Sequence, residues 1–150
     1  MKEFKAEAGN VAECQCESYG EADKVKARME KDALAKHLGI RLLEMKPGYA
    51  RAVMEVKPEL LNGAGITHGG ALFSLADFAF AAASNAHGPL ALALNVNINF
   101  LKATTVGTIL TATACEENLT KKTGLYRMEV LDDKGELVAL AQGTVYRKTT

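Results

Sequence analysis

A single carboxylate, Asp77, lies within the otherwise almost wholly apolar stretch 67–88 of the sequence. A buried charge is unfavourable unless it is paired, hydrogen-bonded or used in chemistry. Three interpretations are open: Asp77 is a structural carboxylate, it lies on the one exposed stripe of a helix, or it is a catalytic base or nucleophile. Most buried carboxylates are simply paired, so the residue type alone favours the first two interpretations.

The helix predicted to carry Asp77 begins at the motif His68-Gly69-Gly70. The first backbone N–H groups of a helix have no partners within the helix and carry the positive end of its dipole. Because Gly69 and Gly70 have no side chains, a ligand oxygen can approach these groups, as in an oxyanion site. A glycine-rich helix start without any ligand is the common alternative.

The separation of Gly69 and Asp77 limits how the two residues can cooperate. Eight residues of helix span about 12 Å, so one carbonyl cannot contact both groups of the same chain. If both serve one reaction, they come from two chains whose helices lie antiparallel across a twofold interface. The spacing therefore predicts a dimer with two equivalent sites.

Hydrophobic periodicity predicts the elements that position these residues. Helices are expected at 24–37 and 70–86, and strands at 40–46, 49–56, 90–101, 108–116, 124–131 and 137–147. The second helix is apolar on nearly every face, so we expect it to be buried on nearly all sides. The strand at 90–101 alternates leucine, valine, isoleucine and phenylalanine with alanine and asparagine, which predicts a half-buried strand.

These elements predict an α+β fold in which a sheet of mainly antiparallel strands, the later ones a meander, curls around one buried helix. Residues 24–150 are expected to form a single domain, and the polar segment 1–23 an N-terminal extension. A chain of 150 residues is of the right length for one core.

Composition excludes several classes of function. The formal net charge is +0, which gives no reason to expect nucleic acid or an anionic membrane as a partner. No apolar run is long enough to span a bilayer, and the N-terminus lacks the apolar segment of a secretory signal, so we expect a cytoplasmic protein. The cysteine count is three, an odd number without ligand-forming neighbours, which predicts neither disulfides nor a metal site. No cofactor motif is present.

The combined pattern of Asn62, His68-Gly69-Gly70 and Asp77 resembles the signature of hotdog-fold acyl-CoA thioesterases of the PaaI (phenylacetic acid degradation) type. The resemblance covers roughly residues 38–148 and includes "LFSLADFAFAAASN" and "NINFLKAT". It implies a long central helix wrapped by a curved antiparallel sheet of five to six strands. It also implies homodimers, joined edge to edge through their sheets, that commonly pair into homotetramers.

The resemblance also implies roles for individual residues. Gly69 N–H would polarise the thioester carbonyl, and Asp77 of the partner chain would be the nucleophile or the base that activates water. Asn62 would orient the nucleophile or water, and His68 would hold the thioester end of the substrate. The predicted contacts to the substrate and its coenzyme A portion are Gly70, Lys102, Lys121, Lys122 and Thr123, although solvated loop lysines are an equally good interpretation.

One position departs from the family pattern. Some members carry a hydroxyl residue near the catalytic water on the strand after the buried helix. The corresponding region here, around Ala93 and Asn95, has no Ser or Thr. An asparagine amide is the candidate substitute.

The implied activity is hydrolysis of an acyl-CoA, with an aryl-acetyl or medium-chain acyl group, to the free acid and CoA. No G-x-S-x-G motif occurs, which disfavours an α/β-hydrolase. Two alternatives stay open: a hotdog enoyl-CoA hydratase or dehydratase with His68 as its base, and a non-catalytic acyl-CoA sensor. The sensor is disfavoured because residues 1–37 hold at most one clear helix and no helix-turn-helix pair.

Overall fold

A six-stranded antiparallel sheet packs against one central helix in the computed structural model, which describes residues 16–149. The helices are α1 (Cys16–Met29), α2 (Ala33–Leu38) and α3 (Gly69–Asn85), with a 3₁₀ turn at Pro58–Leu60. The strands are β1 (Arg41–Lys46), β2 (Tyr49–Glu55), β3 (Ala91–Phe100), β4 (Ile109–Leu119), β5 (Thr123–Leu131) and β6 (Leu137–Arg147). Their order across the sheet is β1-β2-β4-β5-β6-β3, and every neighbouring pair is antiparallel. The predicted fold class is confirmed.

Small residues allow α3 and the sheet to approach closely. Five of the eleven buried residues of α3 are alanines, and Ala79, Ala82 and Ala83 have no exposed surface. Gly143 in β6 has the same role on the strand side, because a Cβ there would lie 2.8 Å from the Phe80 ring. The buried Phe80 side chain contributes about 1.5–3 kcal/mol through its removal from water. This packing fixes the position of the helix that carries the predicted site.

One stripe of α3 is not covered by the sheet. Each member has another member three or four residues away, and all are half-buried or exposed: Gly70, Phe73, Ser74, Asp77 and Ala81. Residues at this spacing share one face of a helix. We call this face the open stripe of α3. The prediction that α3 is buried on nearly all sides holds except along this stripe.

The predicted helix 24–37 is wrong in its extent, because the chain forms two helices there. The first helix ends at Met29, and Asp32 starts the second: its carboxylate accepts the N–H of Ala35 at 2.9 Å as the N-cap of α2. The break rotates the second helix, so that Ala35 is buried while Leu34 is 57% exposed. Helix α1 begins at Cys16, within the predicted extension 1–23, and residues 1–15 lie outside the described residues.

Strand β3 differs most from its prediction. It pairs with β6 rather than with β4, so only β4, β5 and β6 form a sequential meander. Leu92 and Leu94 were expected on a buried face but are 58% and 63% exposed. A β-bulge between Ala93 and Asn95 shifts the register, and β3 is the last strand of the sheet. The free side of this strand, with its exposed leucines, is called the β3 edge.

Candidate active site

The loop before α3 is held to its surroundings by backbone hydrogen bonds. Leu61 and Thr67 form an isolated bridge, and the N–H of His68 donates to the carbonyl of Leu60 at 2.8 Å. The Thr67 hydroxyl lies 2.7 Å from that of Thr104, and both side chains are buried. The start of α3 is therefore placed by a fixed loop.

Asn62 lies in this loop, and only the oxygen of its side-chain amide takes part in hydrogen bonds that hold the loop. Its carbonyl oxygen accepts the N–H groups of Ala64 and Ile66 at 2.8 and 3.3 Å. The side-chain NH₂ group makes no hydrogen bond with any residue in the described range 16–149. Asn62 lines a cleft of about 340 Å³, so two donors are available there.

Gly69 lies in the same cleft, beneath an aromatic ring. A Cβ added to Gly69 would be 3.1 Å from the Phe100 ring, so the absence of a side chain is what lets the ring lie there. Lys102 also lines the cleft. Within the described part of the chain, the Gly69 N–H has no acceptor, as expected for the first residue of a helix. The structure thus brings Asn62, Gly69 and Lys102 together.

His68 caps the helix with its ring. Its Nδ1 accepts the N–H of Gly70 at 2.8 Å, which takes that N–H away from any ligand. In the neutral ring, accepting through Nδ1 places the proton on Nε2. The exposed ring of His68 therefore presents an N–H donor to the outside rather than a base.

Asp77 lies half-buried on the open stripe of α3, as the second interpretation predicted. It forms no hydrogen bond or ion pair with another residue between 16 and 149. Burial raises the pKa of its carboxyl, and the nearby charge of Asp32 raises it further. Asp77 and Gly69 are eight residues apart on one straight helix, about 12 Å, so they do not meet within one chain.

Lys102 is already paired inside the chain. Its Nζ donates to Asp132 Oδ2 at 2.5 Å and also contacts Glu136. The hydrogen bond from Lys102 is the main cause that holds the pKa of Asp132 below its ordinary value. A phosphate at this position would compete with two carboxylates, and the contact of Lys102 with coenzyme A stays a prediction.

The other predicted coenzyme contacts lie in the turn between β4 and β5. The hydroxyl of Thr123 is 2.8 Å from that of Thr120 and closes this turn. Lys121 lines a separate groove of about 1380 Å³ at the far end of α3, together with His87 and Lys148. Within one chain the structure does not bring Lys121, Lys122 and Thr123 into the cleft of Asn62 and Gly69.

A side-chain cluster at the far end of α3 was missed by the sequence reasoning. Glu116 Oε2 lies 2.6 Å from His87 Nε2 and accepts the hydroxyl of the fully buried Tyr126 at 2.7 Å. Burial raises the pKa of Glu116 in part, but these hydrogen bonds hold it below its ordinary value. Burial, followed by Glu116, raises the pKa of Tyr126. The contact of Glu116 with Tyr126 could have been predicted from the register of the β4–β5 hairpin, in which the two residues face each other. No local pattern in the sequence indicates the contact with His87.

Two further features of the described residues bear on the kind of site. No group of three or more His, Cys, Asp or Glu residues between 16 and 149 is placed to hold a metal ion. None of the helices in that range is long and apolar enough to cross a membrane.

Comparison with known proteins shows the family to which the chain belongs. The model of the thioesterase superfamily matches residues 64–139. Acyl-coenzyme A thioesterase PaaI of Escherichia coli is 44% identical over 121 residues, which cover 81% of this chain and 86% of that protein. A protein of Archaeoglobus fulgidus, named only as a candidate esterase, is 54% identical over 126 residues, or 83% and 82% of the two chains.

Solved structures give the same result. The structure of Escherichia coli PaaI matches with a TM-score of 0.82 and 41% identity, covering 87% of this chain and 95% of that one. A Streptococcus mutans protein solved with acetyl-CoA matches with a TM-score of 0.71 and 25% identity, covering 74% and 90%. The matched region contains the helix start at His68 and the carboxylate of Asp77. The chain therefore belongs to the thioesterase superfamily, with the hotdog fold of its PaaI-type members.

Proposed function

We propose that this protein hydrolyses acyl-CoA thioesters, with Asp77 of one chain acting on a carbonyl held by the Gly69 N–H of its partner. One observation carries the proposal: the two reactive groups lie on one helix, lack partners in the described chain and are about 12 Å apart. A second copy, related by a twofold axis, offers each group its complement. The 44% identity to an acyl-CoA thioesterase supports the choice of substrate.

The surface of the chain supports a homodimer. The β3 edge carries unpaired backbone groups together with Leu92 and Leu94, which are more than half exposed. Apolar edge strands of this kind are covered in stable proteins, because they otherwise pair with other chains. A dimer joined through β3 would extend the sheet across both copies. Two such dimers would form the homotetramer implied by the family resemblance.

The chemistry needs few groups because a thioester is readily attacked and its thiolate leaves easily. The carboxylate of Asp77 either attacks the carbonyl carbon or removes a proton from the attacking water. The Gly69 N–H stabilises the negative charge that develops on the carbonyl oxygen. The C–S bond then breaks, and the thiolate takes up a proton. When water is the nucleophile, this step gives the free acid directly; when Asp77 is the nucleophile, it leaves a mixed anhydride that water hydrolyses to the acid and free Asp77. The free NH₂ of Asn62 and the Nε2–H of His68 supply donors to orient water and the thioester.

Coenzyme A would contact two groups of predicted residues. Lys121 and Lys122, next to Thr123, offer positive charge at the turn between β4 and β5, while Lys102 lines the cleft and Gly70 follows Gly69 at the start of α3. The 25% identical Streptococcus mutans protein was solved with acetyl-CoA, which supports a CoA ester as ligand. CoA esters are metabolites of the cytoplasm, and the proposal includes that location. The acyl group is proposed to be aryl-acetyl or medium-chain.

The hydratase alternative is weakened by the hydrogen bond at His68. A hydratase that uses His68 as its base needs a free ring nitrogen. Nδ1 already accepts the Gly70 N–H, and Nε2 carries the proton in the neutral ring. The same geometry suits a residue that donates to a bound thioester.

A thiol-release assay tests the proposal. The purified protein is mixed with acetyl-, octanoyl- and phenylacetyl-CoA, and the free thiol is measured with a chromogenic thiol reagent. We expect turnover by the wild type and a loss of about 10²–10⁴-fold for Asp77→Asn. Asp133→Asn, at an exposed turn, is the matched control and should retain full turnover. Absence of thiol release with all three esters, or an active Asp77→Asn variant, would overturn the proposal.

A further inference from the structure

The position of the dimer axis follows from the helix that carries both reactive groups. If Asp77 approaches the partner's Gly69, symmetry requires that Gly69 approaches the partner's Asp77. For two helices related by a twofold axis, the distance from Asp77 to the partner's Gly69 is smallest when the axis passes closest to the midpoint of the helix segment 69–77. The midpoint of residues 69 and 77 is residue 73. The crossing point therefore lies at Phe73.

Phe73 has the properties that this position needs. It is half-buried on the open stripe of α3, so part of its side chain is free to contact a second copy. The other apolar member of the stripe, Ala81, is small, and Ser74 has turned its hydroxyl back to the carbonyl of Gly70 at 2.8 Å. Phe73 is thus the largest apolar side chain of the stripe. Two rings meeting at the axis would set the separation of the helices.

The same axis can be located on the β3 edge. Helix α3 and strand β3 run in opposite directions, with Gly69 against Phe100 at one end. At the other end, Asn85 bonds to both backbone groups of Ala91 at 3.0 Å. Residue 73 is a quarter of the way along α3, which corresponds to a point near Ile98 on β3.

An antiparallel pairing of two β3 edges centred near Ile98 has a further consequence. Residues whose numbers sum to about 196 then lie opposite each other, so Leu94 lies near the partner's Lys102. Leu94 is 63% exposed in the single chain, and the paired edge would cover part of that surface.

We propose that the twofold axis of the dimer passes beside Phe73, and that the contact between Phe73 and the partner's Phe73 sets the spacing of the two active sites. Phe73 is in this view a positioning residue that does not touch the substrate. The inference rests on the proposed function, because the pairing of Asp77 with the partner's Gly69 defines the midpoint. It adds a specific register to the dimer.

Symmetric cross-linking tests the register. The three native cysteines, Cys14, Cys16 and Cys115, are first replaced by serine, and Phe73→Cys or Ala81→Cys is then introduced. Helices packed at about 8–10 Å bring facing backbones within range of a disulfide or a short bis-maleimide at the axis. Two copies of residue 81 would be separated by about 24 Å along the helices. We expect cross-linked dimer from Phe73→Cys and none from Ala81→Cys.

Activity and assembly provide the second readout. Phe73→Ala should lower thiol release by more than tenfold at low protein concentration, with recovery as the concentration rises and dimers re-form. Phe73→Leu, which keeps an apolar side chain of similar length, should stay within threefold of the wild type. A residue that only supported the fold would show no such dependence on concentration. Sedimentation analysis of each variant reports the dimer directly.

The outcomes separate this inference from the proposed function. If the wild type releases thiol and is dimeric, but Phe73→Cys fails to cross-link or Ala81→Cys cross-links better, the register is wrong and the activity stands. If Phe73→Cys cross-links as expected and no ester is hydrolysed, the assigned activity is wrong and the register stands. Phe73→Ala with unchanged activity at every concentration would also overturn the role of Phe73.

Discussion

Two carboxylates at different points of the molecule have opposite surroundings. Glu116, beside the far end of α3, has two hydrogen-bond partners in its own chain, and its pKa is lowered. Asp77, in the middle of α3, has none among residues 16–149, and its pKa is raised by burial and by Asp32. A carboxylate satisfied within the chain stabilises the fold, whereas one left unsatisfied weakens it and is available for chemistry. The contrast separates a structural carboxylate from a candidate catalytic one.

The largest effect is expected for Asp77→Asn, which tests this contrast directly. The amide keeps the shape of the side chain and removes the charge, so turnover should fall by about 10²–10⁴-fold. Because the ionised Asp77 is disfavoured in the folded chain, its removal should leave the melting temperature at pH 7 unchanged or higher. Thiol release and thermal unfolding monitored by circular dichroism measure the two effects. A clear fall in the melting temperature would show that Asp77 has a structural partner.

The reverse pattern is expected for Glu116→Gln. The amide cannot replace a charged acceptor for both Tyr126 and His87, and loss of such hydrogen bonds costs about 1–3 kcal/mol. For a chain of this length, each kcal/mol corresponds to about 2–4 °C in the melting temperature. Turnover of the folded protein should stay within about threefold of the wild type. If turnover fell as far as in Asp77→Asn, the cluster at Glu116 would belong to the active site.

The pH dependence of the two residues should also differ in sign. Asp77 must be ionised to act, so kcat/KM should fall with decreasing pH through a pKa above the ordinary aspartate value of 3.8. Its raised pKa means that the folded state binds this proton more tightly, so its destabilising effect appears as the pH rises above 3.8. Glu116 stabilises the fold above its ordinary pKa of 4.5, and that contribution is lost as the pH falls through its lowered value. Rate profiles, and melting curves of the wild type and both variants from pH 3.5 to 8, measure these shifts.

A smaller effect should separate two lysines predicted to contact coenzyme A. Lys102 is neutralised by Asp132 and Glu136, whereas Lys121 is exposed beside a large groove. Replacement of Lys121 by methionine should raise KM a few-fold at low salt, and this difference should shrink at high salt because exposed charges are screened. Replacement of Lys102 should change KM less and should lower stability instead. A larger KM effect at Lys102 would show that substrate displaces its carboxylate partners.

Much of the fold could be predicted because local patterns define it. The periodicity placed α3 and most strands to within one residue, since apolar runs and glycine turns are local signals. The break in the helix at Asp32 was missed because a capping aspartate also fits inside a helical pattern. Leu94 was assigned to a buried face because a β-bulge leaves no local trace in an alternating sequence.

The separation of Gly69 and Asp77 was predictable because both residues lie in one helix, α3, so that it follows from helical rise alone. The pairing of Lys102 with Asp132 joins residues 30 positions apart, and no spacing rule links them. The same is true of His87 and Glu116, which are 29 positions apart. Contacts made across the sheet require the fold itself.

The bare β3 edge also has a consequence for how the protein is made. A newly synthesised copy exposes Leu92 and Leu94 beside unpaired strand hydrogen bonds until another copy arrives. Strands of this kind join foreign chains as readily as their own, which leads to aggregation when synthesis is fast. Slow expression at reduced temperature should therefore give a larger yield of non-aggregated protein. A charged residue in place of Leu94 should prevent aggregation and also abolish dimer formation through β3. The β3 edge would then promote aggregation of the newly synthesised chain and form the interface of the assembled dimer.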